Sequence, residues 1–261
     1  MSRIGESFRN LPAGRRGFIP FITAGDPDLA TTRALIVELA RAGGTLVELG
    51  VPFSDPVADG PTIQRASERA LARGVGISDV LRTLGEARRE TDVPVVLFSY
   101  YNPLLQFGVE RLATEAARAG VDGVLVTDLV PEESAAFNAT LGRAGLDQIF
   151  LAAPTTSEAR LRMIGARASG FVYAVSRAGV TGARTDLSGE AARLVGRVRA
   201  TTDLPVAVGF GISTSAQVAE VWRYADAAVV GSAIVAEIER HAGSPDVVSR
   251  IGDFARSLLP S

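Results

Sequence analysis

The sequence predicts a (β/α)8 barrel, and three observations lead there. Eight short apolar runs alternate with longer amphipathic segments along the 261 residues. The runs are mostly continuous Val, Ile, Leu and Phe, not alternating apolar and polar, as expected for strands covered on both faces. The length matches the roughly 250 residues of a single such barrel. An open doubly wound sheet is the architectural alternative. No linker, composition shift or low-complexity segment divides the chain, so residues 1–261 are read as one barrel domain.

In chain order, Ile4, Phe8 and Leu11 have helical spacing, which places a short helix before the first strand, over the barrel bottom. Strands are expected at Gly17–Thr23, Thr45–Gly50, Val93–Phe98, Val121–Thr127, Gln148–Ala152, Gly170–Val175, Leu204–Val208 and Ala227–Val230. Helices are expected between them, including Leu29–Ala42, Val109–Ala119, Glu132–Ala144, Glu158–Ala168 and Glu190–Ala200. Gly43, Gly120, Gly145 and Gly170 stand where helix stops belong. Pro94 and Pro205 fall at strand entries, where a missing N–H is tolerated.

Composition narrows the chemistry. The formal charge of −2 offers no broad basic field for nucleic acid or an anionic membrane. No apolar run reaches the roughly 18 residues of a membrane span, and the N-terminus lacks a signal-peptide core, so the cytoplasm is expected. Cysteine is absent, all 27 basic residues are arginine, and His241 is the sole histidine. Without lysine the chain cannot form a Schiff base, and without cysteine it cannot build a Cys/His zinc site. A Ser-His-Asp triad would rest on His241 alone. Carboxylates, hydroxyls and backbone amides remain.

In a barrel the loops at the carboxyl ends of the strands build the active site. Loop 1 reads as a capped turn, with Asp26 or Asp28 as the cap. Loop 2 follows strand 2 as Glu48-Leu49-Gly50-Val51-Pro52-Phe53-Ser54-Asp55-Pro56-Val57-Ala58-Asp59-Gly60-Pro61. Glu48 near the strand end would lose hydration in the barrel mouth, which lifts its pKa toward neutrality, while Asp59 nearer water stays ionised. Such a pair suits proton transfer. Asp55 reads as a turn residue. Loop 6, from Ser176 to Ser188, carries glycines, hydroxyls and two arginines and suits a lid over an anion; a surface loop is the alternative. Tyr173 precedes it and could equally be a core tyrosine. Glycines after strands 7 and 8, at Gly209, Gly211 and Gly231-Ser232, fit the phosphate site of this barrel class. Together these point to a barrel that binds a phosphorylated small molecule and works by carboxylate acid–base catalysis.

The chain resembles the tryptophan synthase alpha chain family over essentially its full length. The matching stretches are Pro20 to Pro27, Glu48 to Gln64, Tyr100-Tyr101-Asn102-Pro103, Ser176 to Gly182, Gly209 to Ser213 and Gly231 to Val235. The resemblance implies a carbon–carbon lyase that cleaves indole-3-glycerol phosphate, by a retro-aldol reaction, to indole and glyceraldehyde 3-phosphate in tryptophan biosynthesis. It implies Glu48 as the general acid–base and Asp59 as the acid that stabilises charge on the indole nitrogen. Phe21 and Phe98 would flank the indole and Tyr173 would stand beside the reacting carbons. Thr181 would bond Asp59 on lid closure, and Gly182, Gly211, Gly231 and Ser232 would receive the phosphate. It implies no cofactor in this chain and a beta-chain partner that carries pyridoxal phosphate, in an alpha2beta2 complex gripping Pro52, Asp55 and Pro56. Two departures stand out: Gly43-Gly44-Thr45 replaces the usual Gly-Ala-Asp, and no glycine precedes strand 8. The competing readings are another phosphosugar barrel, or an inactive barrel that activates a beta-chain partner.

Overall fold

A computed structural model describes residues 2–175, 187–209 and 211–260. Eight strands, β1 (Gly17–Thr23), β2 (Val47–Gly50), β3 (Val95–Ser99), β4 (Gly123–Val126), β5 (Asp147–Ala152), β6 (Val172–Val175), β7 (Val206–Gly209) and β8 (Ala227–Val230), pair in parallel and in sequence order. The pairing of β8 with β1 closes the barrel. Among the described residues the helices are α1 (Arg3–Arg9), α2 (Leu29–Arg41), α3 (Pro61–Ala72), α4 (Ile77–Ala87), α5 (Tyr101–Phe107), α6 (Val109–Ala119), α7 (Ala135–Arg143), α8 (Glu158–Arg167), α9 (Leu187–Arg199), α10 (Ser215–Val221), α11 (Ser232–His241) and α12 (Val247–Leu258). None is long and apolar enough to cross a membrane.

The continuous apolar runs have a direct structural cause. Alternate residues of each strand face opposite ways. Ile19, Leu46, Val96, Leu125, Ile149 and Phe171 fill the barrel interior, while Phe18, Ile22, Leu49, Leu97, Val124 and Val208 pack under the helices. Helix α1 closes the bottom as expected, with Ile4 buried in the interior cluster and the Phe8 ring 6.0 Å from that of Phe171. Its position is secured by Asp122, which pairs with Arg3 at 3.0 Å and Arg88 at 2.8 Å and accepts from the Val95 N–H.

Several strands start later than the sequence suggests. Pro94 and Pro205 lie just outside β3 and β7 and contribute only carbonyls, to the N–H groups of Val47 and Val172. Strand β8 occupies the expected residues without a preceding glycine. At the other departure, a Cβ on Gly44 would stand 2.9 Å from the Leu39 carbonyl oxygen, so the backbone here is fitted to glycine. The Thr45 hydroxyl accepts from the Phe18 N–H at 3.1 Å. Asp28 is the cap of α2, accepting from the Thr31 N–H at 2.7 Å. Asp26 is not a cap; it is buried against Arg69.

Candidate active site

Strand β2 turns Glu48 inward, level with Phe21 on β1 and Val96 on β3. The residue is 1% exposed and its Oε1 has no hydrogen-bond partner. Burial alone pushes its pKa up to about 8, so the carboxyl is protonated at neutral pH. Tyr173 faces the same space from β6. Its hydroxyl lies across the end of β7, where a Cβ on Gly209 would come within 1.9 Å of it. Burial, and then the charge of Glu48, raise the Tyr173 pKa.

Asp59 lies at the end of loop 2, immediately before Gly60 and the start of α3 at Pro61. The Ala58 N–H donates to the Tyr100 hydroxyl at 2.9 Å, the rings of Phe53 and Tyr100 lie 5.2 Å apart, and Gln64 donates to the Asp59 carbonyl at 2.9 Å. Loop 2 is thereby laid over the barrel mouth. Burial lifts the Asp59 pKa to about 6, partly offset by the Tyr100 side chain, so at neutral pH the carboxylate is mostly ionised. Below it, Phe21, Thr23, Gly50, Val51, Ile63, Ser67, Phe98, Ser99 and Tyr100 join Asp59 in lining a narrow cavity. The rings of Phe21 and Phe98 meet edge to face, with centroids 5.3 Å apart. Ala66 of α3 and Val235 of α11 pack behind Phe21.

Gly211 follows β7 with φ +76°, and Gly231 is the N-cap of the ten-residue α11, whose first residue is Ser232. Pairing of β7 with β8 sets these two loops side by side. The first-turn N–H groups of α11 and its dipole favour an anion there. Thr181 and Gly182 lie outside the described residues. Of the loop 2 residues expected at a partner, Asp55 is exposed, Pro56 is half-buried and Pro52 is buried within this chain. Val57, the residue after Pro56, is 82% exposed.

Three contributors were not singled out from the sequence for this site. Tyr100 follows Val96 and Phe98 on the inward side of β3, and Thr23 follows Ile19 and Phe21 on that of β1, so period-two counting could have found both. Arg69 gave no such signal. It bonds both Asp26 oxygens at 2.8 Å and Glu239 at 2.7 Å, tying loop 1, α3 and α11 together. Among the described residues, no group of three or more His, Cys, Asp and Glu side chains is placed to hold a metal.

A closed parallel barrel with two carboxyl groups of raised pKa, Glu48 and Asp59, at the mouth formed by the carboxyl ends of its strands defines an enzyme of the (β/α)8 class. The chain's relatives narrow the class. The tryptophan synthase alpha chain family profile matches residues 8–256. The tryptophan synthase alpha chain of Geobacter sp. (strain M21) is 49% identical over 259 residues, covering 99% of this chain and 97% of the relative. The crystal structure of tryptophan synthase subunit alpha from Legionella pneumophila superposes with a TM-score of 0.89 at 37% identity, covering 99% of this chain and 97% of that one. A Pyrococcus furiosus structure, described as a tryptophan synthase a2b2 complex with mutual activation, superposes with a TM-score of 0.86 at 38% identity, covering 93% and 97%. The chain belongs to the tryptophan synthase alpha chain family.

Proposed function

We propose that this chain cleaves indole-3-glycerol phosphate to indole and glyceraldehyde 3-phosphate, with Glu48 and Asp59 as the catalytic residues. The observation that carries the reading is the pairing of two unlike carboxyl groups. Glu48 is buried and neutral, with its Oε1 unpartnered, and Asp59 is mostly ionised beside an aromatic cavity.

The chemistry follows from those states. Neutral Glu48 donates its proton to indole C3, and the positive charge that develops at the ring nitrogen is offset by the Asp59 carboxylate. The bond from C3 to the first linker carbon then breaks, its electrons return to the ring, and that carbon's hydroxyl gives its proton to Glu48. The proton count closes, leaving indole, an aldehyde and Glu48 protonated again. Phe21 and Phe98 bound the ring, Tyr173 packs beside the reacting carbons, and the amides at Gly211, Gly231 and Ser232 take the phosphate. The protonated ring is the electron sink, so this mechanism calls for no metal and no Schiff base.

Relatives known as subunits of an a2b2 complex support a beta-chain partner, with pyridoxal phosphate held in the partner. Its docking face is proposed on Asp55, Pro56 and Val57, extended by Leu105 of α5 and Val130 after β4. These three apolar side chains are exposed by 82%, 49% and 38% and follow three successive strands at the same barrel mouth. Pro52, being buried, would support the loop from beneath. The test is indole release by the purified chain supplied with indole-3-glycerol phosphate, with and without a beta chain. No release under either condition would overturn the proposed reaction.

A further inference from the structure

One polar atom in the mouth of the barrel is left without a task by the mechanism above. The Thr23 hydroxyl is buried and has no hydrogen-bond partner. Three other buried threonines have partners: Thr32 donates to the Asp28 carbonyl at 2.8 Å, Thr45 accepts from Phe18 at 3.1 Å, and Thr140 donates to Glu110 at 3.0 Å. An unmet buried hydroxyl is unfavourable, and a valine of the same shape would avoid the penalty. Among the described residues the other unpartnered buried oxygens are Asn138 Oδ1 on α7, Gln148 Oε1 and Asp147 Oδ2 on β5, and Glu48 Oε1. Of these described residues, Thr23 and Glu48 are the two at the mouth.

Their places in the barrel say what they could share. Thr23 is the last residue of β1 and faces inward above Phe21, beside Gly50, which puts no side chain over it. It lines the same cavity as Asp59. Strand β1 lies between β8 and β2. A ligand whose phosphate rests at the loops after β7 and β8, and whose ring rests beside Asp59 and Phe98, must carry its linker across the end of β1. That linker bears two hydroxyls, and Glu48 acts on the one attached to the carbon next to the ring.

We propose that Thr23 binds substrate directly, its hydroxyl hydrogen-bonding the second linker hydroxyl, on the carbon next to the phosphate-bearing one. The assignment rests on the substrate reading above. It makes Thr23 a specificity residue, because a site with a buried hydroxyl waiting for a partner discriminates against ligands that cannot supply one.

The test uses Thr23→Val and Thr23→Ser in the full chain. With indole-3-glycerol phosphate, Thr23→Val should lower kcat/KM by about 10- to 100-fold while Thr23→Ser stays within about threefold of wild type. Inhibition by 3-(indol-3-yl)propyl phosphate, which keeps ring and phosphate but lacks both linker hydroxyls, should be the same in wild type and Thr23→Val. The melting temperature of Thr23→Val should not fall, whereas a purely structural hydroxyl would cost stability on removal. An active wild type with an unimpaired Thr23→Val would overturn the proposal and leave the cleavage reaction standing. Equal weakening of substrate and analogue would also overturn it, since that is the mark of lost packing. A wild type that releases no indole would bring down the substrate reading and this assignment with it.

Discussion

At the scale of single residues, the site works because burial separates two acids. Glu48 titrates near 8 and Asp59 near 6. Activity needs Asp59 ionised and Glu48 protonated, so kcat/KM should rise as pH passes about 6 and fall as it passes about 8. A flat profile across that range would separate the carboxylates from the rate. Glu48→Gln preserves shape but cannot cycle a proton, and turnover should drop by about 10² to 10⁴. The same substitution should affect stability in the opposite sense. The folded pKa of Glu48 is raised above its ordinary value of 4.5, so its native form is favoured below that value and is increasingly penalised as pH rises to about 8. Glu48→Gln removes the penalty, and urea unfolding should show it more stable than wild type by up to roughly 5 kcal/mol at pH 9, with little difference at pH 5. A pH-independent difference would mean that Glu48 does not titrate through this range.

At the scale of elements, the question is how loop 2 and the phosphate loops stay in register. Asp59 directly precedes α3, and Ser232 opens α11. These two helices are joined by Arg69 and Arg65, both bonded to Glu239, and by the grip of Arg69 on Asp26, which is 1% exposed. The hydrogen bond from Arg65, followed by the charge of Arg69, holds Glu239 down at about 2. Arg69→Ala would leave the Asp26 carboxylate buried without its cation, and denaturant unfolding should register a loss of about 3 kcal/mol. Arg69→Lys offers one ammonium in place of a bidentate fork and should recover only part of it. Wild-type stability in Arg69→Ala would show that the network is dispensable.

At the scale of the molecule, the apolar side chains Val57, Leu105 and Val130 ring the side of the mouth that carries Asp59. A beta chain seated there would bear on loop 2 directly. It can speed the reaction only by binding the active arrangement more tightly, and coupling of this kind is typically about 1–3 kcal/mol, or 5- to 150-fold. The beta chain should raise the rate by at least that factor. Reciprocity requires a substrate analogue to tighten the complex as much as the beta chain tightens the analogue. Leu105→Asp should weaken the complex at least about tenfold, by placing a charge in an apolar contact, and leave the basal rate of the isolated chain unchanged. Calorimetric titration showing undiminished binding by Leu105→Asp would move the docking face elsewhere.

The sequence by itself determined the architecture. Continuous apolar runs marked strands buried on both faces, and Gly43, Gly120, Gly145 and Gly170, read as helix stops, all adopt positive φ. The leading helix, the residues of β8, and the placement of Glu48 on β2 facing the barrel mouth were legible too. All of these are encoded by neighbours along the chain, through periodicity and local steric demand. Tertiary structure decided the rest, because burial and pairing depend on segments remote in sequence. Asp26 reads as a cap until Arg69 arrives beside it from 43 residues away, itself held by Glu239 a further 170 residues along. Pro52 reads as a surface residue until the barrel mouth covers it. Thr23 is an ordinary strand threonine until closure of the barrel at β8 and β1 leaves its hydroxyl buried, unpartnered and on the path between the proposed phosphate site and the acids.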